Sequence, residues 1–428
     1  MRHKQIPAEL FIDRRNEFMK KMKRGSIAIF NSNDPMSRNG DQFFPYRQDS
    51  VLFALSGIDQ PGTILVLHPD SKNEKLKEIA FILPPDPDHA IWNGERLSAA
   101  SATTISGIQT VRYTNQWDAV MKDIFNSCAR IYINTAEKAN DAATIQSQND
   151  RMASKLQTSF PGHAILSARP LLRTLMMIKH PVEIDLVKKA VEVTGKAFDR
   201  VVHHVYPGMR EYELEAHITY ALNANGCKHA FEPIVASGKS ACILHYISND
   251  NIIKPGTLIL IDFGAEYANM ASDITRTIPA NGKFSKDQKK IYLAVLHVLN
   301  EITNLMRPGI TINQLNIEAA RLIESQLIGL KIISRTDVKN QNRKFPLWKK
   351  YFMHGVSHHL GYDVHDLSDR GTPLRAGMLL TCEPGIYLPE LKLGIRLEND
   401  ILITRNKPTN LTASIPIDPD EIESVMNS

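Results

Sequence analysis

The sequence predicts an α+β chain of two domains, a smaller α/β domain followed by one with a pseudo-twofold plan. Three observations carry this. The 428 residues exceed what one hydrophobic core usually spans. Residues 1–173 alternate short apolar, strand-like runs with helical patterns, which is an α/β layout. Residues 174–428 hold a faint internal repeat, in which two helices and a strand pair recur and each copy delivers two carboxylates.

In the first domain, 26–30, 62–67, 79–83 and 130–133 read as buried strands, and 117–125 reads as a helix between two of them. No catalytic constellation appears there. The boundary falls around 173–181, where His180-Pro181 is suited to opening a helix. Residues 182–204 then form an amphipathic helix, and 211–225 a second that stops at Gly226. The repeat is seen by aligning Pro207-Gly208 with Pro308-Gly309, each glycine followed six residues later by a helical leucine, Leu214 or Leu315. Downstream, Gly256 and Gly377 each begin an apolar strand with a carboxylate six residues on, Asp262 or Glu383, and a second carboxylate follows, Asp273 or Glu398. His245 and His365 precede those glycines by 11 and 12 residues. Residues 256–263 and 271–278 are expected to be an antiparallel pair joined by a 264–270 connection, which brings Asp273 beside Asp262.

Net charge is 51 − 46 = +5, with 43% hydrophobic and 23% charged residues, an ordinary balance for a soluble globular protein. The basic cluster Lys20-Lys21-Met22-Lys23-Arg24 reads as a solvated face, so no nucleic-acid partner is expected. The amino-terminal segment lacks the apolar stretch of a signal peptide, and no run reaches the roughly 18 apolar residues of a membrane helix. Cys128, Cys227, Cys242 and Cys382 are scattered without a CxxC pair, which fits a reducing compartment, the cytoplasm.

The chemistry concentrates in Asp262, Asp273, His358, Glu383 and Glu398. Three of the four acids lie within or at the end of strand-like apolar stretches, where an ionised carboxylate is costly unless a cation or dense hydrogen bonding compensates it. Four converging carboxylates repel one another unless metals neutralise them. Local alternatives exist: Asp273 could pair with Arg276 while Asp262 begins a turn, and the four acids could form a surface ion-pair ladder. In a strand running through 395–400, Arg396, Glu398 and Asp400 share a face, so Arg396 can orient Glu398. His354, His358, His359 and His365 fall within 12 residues, and Gly355 and Gly361 argue for an irregular rather than helical segment, with His359 as a packing residue.

These residues carry a resemblance. Ile243-Leu244-His245-Tyr246, Ile261-Asp262-Phe263-Gly264, Ser272-Asp273-Ile274-Thr275-Arg276-Thr277, the segment 354–366, Thr381-Cys382-Glu383-Pro384-Gly385 and Gly394-Ile395-Arg396-Leu397-Glu398-Asn399-Asp400 resemble the aminopeptidase P group of the pita-bread metallopeptidases. Pro45-Tyr46-Arg47-Gln48-Asp49-Ser50 and Ile91-Trp92-Asn93-Gly94-Glu95-Arg96-Leu97 resemble that group's amino-terminal domain, also found in creatinase and prolidase. The resemblance implies a pita-bread catalytic domain, a curved antiparallel sheet with flanking helices. It also implies a dinuclear centre, with Asp262 on one metal, Asp273 and Glu398 bridging, and His358 and Glu383 on the other. Manganese is the expected metal, with cobalt, zinc or iron as alternatives, and a donor set of four carboxylates and one imidazole agrees with manganese.

The implied reaction removes the first residue from peptides with proline second. Two metals roughly 3.5 Å apart would lower the pKa of a shared water to give hydroxide. Glu383 would carry the proton, His245 or His365 would stabilise the oxyanion, and His354, His365 and Arg396 would border the proline pocket. Peptides with Xaa-Pro amino termini are thus the expected partners. Trp92 is expected to reach a neighbouring subunit's active site in a homodimer or homotetramer, against the alternative of a buried core aromatic. Prolidase, which cuts only Xaa-Pro dipeptides, shares the ligands, and an inactive pita-bread module that binds proteins is the reading from another class. Two departures bear on subsite shape: only 14 residues lie between Glu383 and Glu398, and His359 stands where relatives often carry tryptophan.

Overall fold

The computed structural model describes residues 3–135 and 145–428, which form two compact units, His3–Leu175 and Met176–Ser428. Met1 and Arg2 of the amino-terminal segment lie outside the described residues.

The first unit is built on a six-stranded mixed sheet in the order Thr110–Tyr113, Glu78–Ile82, Ile64–Leu67, Ser26–Asn31, Arg130–Ile133, Ala164–Ser167. Ser26–Asn31 pairs antiparallel with Ile64–Leu67 and parallel with Arg130–Ile133. One face buries Ile27, Ile29, Val66, Ile79, Phe81, Ile131 and Ile133 against Met121, Ile124 and Phe125 of the Trp117–Asn126 helix and Leu156 of Gln148–Ser159. All four expected strands are present. The second starts at Ile64 because Gly62, at φ +71°, still belongs to the turn before it. Thr110–Tyr113 and Ala164–Ser167 were not anticipated; they are short, partly exposed edge strands.

Trp92 overturns its bland alternative. It lies on the short helix Pro87–Asn93, capped by Asp86 accepting from the amides of Asp88 and His89, and is 84% exposed beside a 78% exposed Ile91. It is not a core aromatic.

In the second unit the repeat is visible as paired elements. Helices Pro181–His204 and Glu211–Ala224 recur as Lys286–Leu305 and Ile312–Gly329. Gly208 (φ +103°) and Gly309 (φ +98°) each turn the chain three residues before the second helix of a pair. Gly256 (φ +73°) and Gly377 (φ +91°) do the same two residues before strands Leu258–Phe263 and Leu379–Cys382. The same backbone reversal is thus required at equivalent places in both halves.

The first half contains the antiparallel sheet Ile234–Ser237, Leu258–Phe263, Ile274–Pro279. The second contains Leu379–Cys382, Asn399–Leu402, Thr409–Asn410, and the hairpin Gly385–Leu388 with Leu393–Arg396. They are stitched by the Glu398 amide donating to the Thr275 carbonyl at 3.0 Å and by Thr277 Oγ1 donating to the Arg396 carbonyl at 3.1 Å. The connection expected over 264–270 is itself structured. Ala265–Tyr267 pairs with Met270–Ala271 around Ala268 and Asn269, both at positive φ, and also with Lys228–His229. The strand expected over 271–278 is therefore split, and Ser272-Asp273 lie between its two parts.

Candidate metal centre

Each acid is placed by a strand. Asp262 sits within Leu258–Phe263, directly opposite Thr275 rather than Asp273. Asp273 is two residues from Thr275 along the partner chain, the diagonal position on the same face, which is still within reach of Asp262. Gly264 permits this crossing, because a β-carbon there would collide with the Ser272 carbonyl oxygen. Asp262 lies inside a strand, so it does not begin a turn.

The second pair occupies a break between two ladders. Cys382 pairs with Asn399 in one and Gly385 with Arg396 in the next, so Glu383 and Glu398 face each other in the gap. The single strand expected through 395–400 is thus interrupted at Leu397-Glu398. The histidine segment is irregular, as its glycines suggest, and 356–360 run beside strand Leu379–Cys382: Glu383 donates its amide to Val356, Thr381 to His358, and Leu360 to Leu379, at 2.9, 2.9 and 3.1 Å.

Potential ligand atoms of Asp273, His358 and Glu398 lie within 4.8 Å of one another. His358 Nε2 is 3.6 Å from Asp273 Oδ2 and 3.7 Å from Glu383 Oε1. Asp262 enters through Arg396, whose Nη2 contacts its Oδ2. The Oδ1 atoms of Asp262 and Asp273 are buried with no hydrogen-bond partner. Orphaned buried carboxylate oxygens facing a cluster of acids are what a cation would satisfy. Burial, with little surface exposure of the acids, rules out the surface ion-pair ladder: Glu398 is 2% exposed.

The protonation pattern agrees. Burial, reinforced by the charges of Glu398, Asp262, Asp400 and Glu383, pushes Asp273 well above the usual carboxylate range. Burial and then the Glu398 charge raise Glu383. Burial and the Asp262 charge push Glu398 up to about 8, although Thr275 Oγ1 donates to its Oε2 at 2.7 Å. The imidazole behaves oppositely. Burial, and then the neighbouring His365, lower His358 to about 4, so it is neutral near pH 7. Its Nδ1 meets the His359 carbonyl at 3.1 Å, which fixes the proton there and leaves the Nε2 lone pair facing the acids.

Around the acids stand Tyr387, which the sequence did not single out, and Arg276, Arg396 and Asp400, whose partners it did not show. Tyr387 hydroxyl bridges His354 Nε2 at 2.8 Å and Arg396 Nη1 at 3.0 Å. Burial raises it to about 12, so it stays protonated and donates to His354. Arg396 Nε donates to Thr275 Oγ1 at 3.0 Å, so this guanidinium spans Tyr387, Thr275 and Asp262. Arg276 is fully buried and does not serve Asp273. Its five donors go to the carbonyls of Thr275, Glu398, Ile415 and Pro416 and to Asn399 Oδ1. Asp400 Oδ2 accepts the Asp273 amide at 3.2 Å. The available signals were proximity in sequence: Arg276 three residues after Asp273, Tyr387 four after Glu383, Asp400 two after Glu398.

His354 Nδ1 approaches Glu383 Oε2 at 3.7 Å, and burial lowers its basicity to about 3. His365 stacks edge-on against His358 with ring centroids 4.3 Å apart. His245 is exposed just after the 3₁₀ turn Gly238–Cys242, near enough to depress the basicity of both His354 and His365. His359 is buried rather than facing solvent, at 1% exposure, with burial and the nearby Lys179 lowering its basicity to about 3. Trp92 belongs to the other compact unit.

Comparison with known proteins places this geometry in a family. Residues 185–405 match the model of metallopeptidase family M24, and residues 11–132 match the aminopeptidase P N-terminal domain. The chain belongs to metallopeptidase family M24 and is a metal-dependent peptidase with the pita-bread catalytic fold. It is 34% identical to the Xaa-Pro aminopeptidase of Escherichia coli (strain K12), over 99% of this chain and 98% of that protein. Its structure is similar to that of E. coli aminopeptidase P with the inhibitor Pro-Leu, with a TM-score of 0.87, 32% identity and 99% of each chain covered. Proline aminopeptidase P II from Yersinia pestis is similar at a TM-score of 0.87 and 33% identity, covering 99% of this chain and 100% of that one.

Proposed function

We propose that this chain is an Xaa-Pro aminopeptidase, releasing the first residue from peptides whose second residue is proline. The observation that carries the reading is the convergence of Asp273, His358 and Glu398 on one point, joined by Glu383 at 3.7 Å from His358 and by the orphaned oxygen of Asp262. Full-length similarity to a protein named Xaa-Pro aminopeptidase and to a Pro-Leu complex supports the substrate class.

In this reading Asp262, Asp273, His358, Glu383 and Glu398 hold two divalent ions. Manganese suits a set of four carboxylates and one neutral imidazole without thiolates. When bound, such ions supply Lewis acidity and lower the pKa of a water. The chain's own residues do the rest. Glu383, whose Oε1 lies 3.7 Å from His358 Nε2, takes a proton and returns it to the leaving proline nitrogen. Arg396 orients Asp262 through its Nη2 contact. Tyr387 holds His354 neutral and directed, so that His354, His365 and Arg396 form the wall of a proline pocket. His245 or His365, exposed at the centre's rim, donates to the developing oxyanion. Proline lacks an N–H and fixes φ, so a pocket shaped to its ring selects for it.

Two extensions belong to the same proposal. The exposed Trp92 serves a neighbouring subunit's active site in a homodimer or homotetramer. The four cysteines, all free thiols, fit a reducing cytoplasm.

The test uses metal-stripped protein reloaded with Mn²⁺ and three substrates: an Arg-Pro-Pro type tripeptide, an Xaa-Pro dipeptide and a Met-Ala peptide. The expected result is cleavage of the tripeptide, lost on chelation and restored by Mn²⁺. Cleavage of the dipeptide alone would make the chain a prolidase, and cleavage of Met-Ala alone would overturn the proline reading.

A further inference from the structure

Lys179 and Asp366 form an ion pair away from the carboxylate cluster, with only 1% of each side chain exposed. Lys179 Nζ donates to Asp366 Oδ2 at 2.6 Å and to the Met176 carbonyl at 2.7 Å. Asp366 Oδ1 accepts the Leu367 amide at 2.9 Å. Both partners are satisfied, yet a buried pair of this kind is generally no more stabilising than apolar groups of the same volume. Its presence calls for another explanation, and its surroundings supply one.

The pair is wedged under the histidine segment. Gly361 passes so close that a β-carbon there would collide with both the Asp366 carboxylate and the Lys179 ammonium. The Asp366 amide donates to the His359 carbonyl at 3.0 Å. That same carbonyl meets His358 Nδ1 at 3.1 Å. One oxygen atom therefore links the Asp366 main chain to the ring whose Nε2 faces Asp273 and Glu383. His365, next to Asp366, stacks on that ring. From the other side, the Lys179 amide donates to Gly377 at 2.8 Å, so the pair is braced against the turn that begins strand Leu379–Cys382.

We infer that Lys179 and Asp366 are positioning residues, whose buried contact fixes the His359 carbonyl and thereby aims His358 at the metal centre and seats His365 against it. The inference rests on the metal-centre reading above. Without the pair, the loop keeps its sequence but not the placement of the shared carbonyl, and His358 loses its fixed tautomer and direction. Groups that orient a ligand in this way typically change metal affinity about 10–100-fold when removed.

The test is calorimetric titration of metal-stripped, full-length protein with Mn²⁺, with thermal unfolding of the same metal-free samples. Asp366→Asn is expected to bind Mn²⁺ about 10–100-fold more weakly than the unaltered protein. Because it leaves an ammonium buried alone, it is also expected to unfold earlier. The double variant Lys179→Met/Asp366→Leu removes both charges at similar volume. It is expected to regain the unfolding midpoint while still binding Mn²⁺ more weakly. A merely structural pair would behave otherwise, with affinity returning together with the midpoint, and that result would overturn the inference. Unaltered affinity in Asp366→Asn would do the same. If the unaltered protein itself took up no Mn²⁺, the metal-centre reading would fall rather than this role alone.

Discussion

Metal-stripped protein should lose stability as pH rises from about 6.5 to about 8, and Mn²⁺ should reverse the loss. Glu398 is pushed from an ordinary 4.5 to about 8 by burial and by Asp262, and Asp273 and Glu383 are raised as well. Above about pH 5 the unfolded chain has released these protons, whereas the folded chain retains them until the pH reaches the raised values. The folded state then binds more protons, so unfolding free energy falls with pH, by about 1.4 kcal/mol per unit for each retained proton. Below about pH 6.5 the effect is masked. His354, His358 and His359 are lowered to about 3, 4 and 3, chiefly by burial, so their share of the stability rises with pH there and offsets the fall from the acids until the imidazoles are neutral in both states. The net fall in metal-free stability should therefore set in above about pH 6.5. From there to about pH 8, one retained proton on Glu398 accounts for about 2 kcal/mol, or roughly 4–8 °C in unfolding midpoint. Differential scanning calorimetry with and without Mn²⁺ reads this directly, and Glu398→Gln should remove that proton's share of the slope. A metal-free midpoint that stays level or climbs between those pH values would refute the electrostatic account of the site.

Three further outcomes are expected. Arg276→Met orphans five acceptors, among them the Glu398 carbonyl, and should cost roughly 3–5 kcal/mol, seen as an unfolding midpoint lowered by about 10 °C. Glu383→Gln should lower kcat by about 10²–10⁴ with KM changed far less, and elemental analysis of the variant separates lost proton transfer from lost metal. Trp92→Ala should leave unfolding unchanged, because the ring is 84% exposed, while raising KM for peptides several-fold; unchanged kinetics would remove Trp92 from substrate binding.

The acids and the repeat were legible because both follow from strict local rules. A glycine that must adopt positive φ, followed by an apolar strand and a carboxylate, leaves a pattern that needs no knowledge of tertiary structure, and Gly256 and Gly377 both adopt it. Helix 182–204 was legible for the same reason, from its period and the proline at its first position. What escaped depends on distance in sequence. Tyr387 matters because of His354, 33 residues away, and Arg276 because of Glu398 and Pro416, more than 100 residues away. Neither partner can be read from spacing. The hairpin inside 264–270 was hidden because its turn uses Ala268-Asn269 instead of a glycine, an unusual choice for positive φ. Trp92 was ambiguous because an aromatic in a short helix has no periodicity to assign it a side.

The five candidate ligands are divided between the duplicated halves, Asp262 and Asp273 on one side of the seam, His358, Glu383 and Glu398 on the other. A cation gripped from both sides is released whenever either half opens. If the five residues hold metal as proposed, occupancy acts as a clasp that couples the two lobes into one cooperative unit and makes metal supply a determinant of the folded protein's lifetime as much as of its turnover.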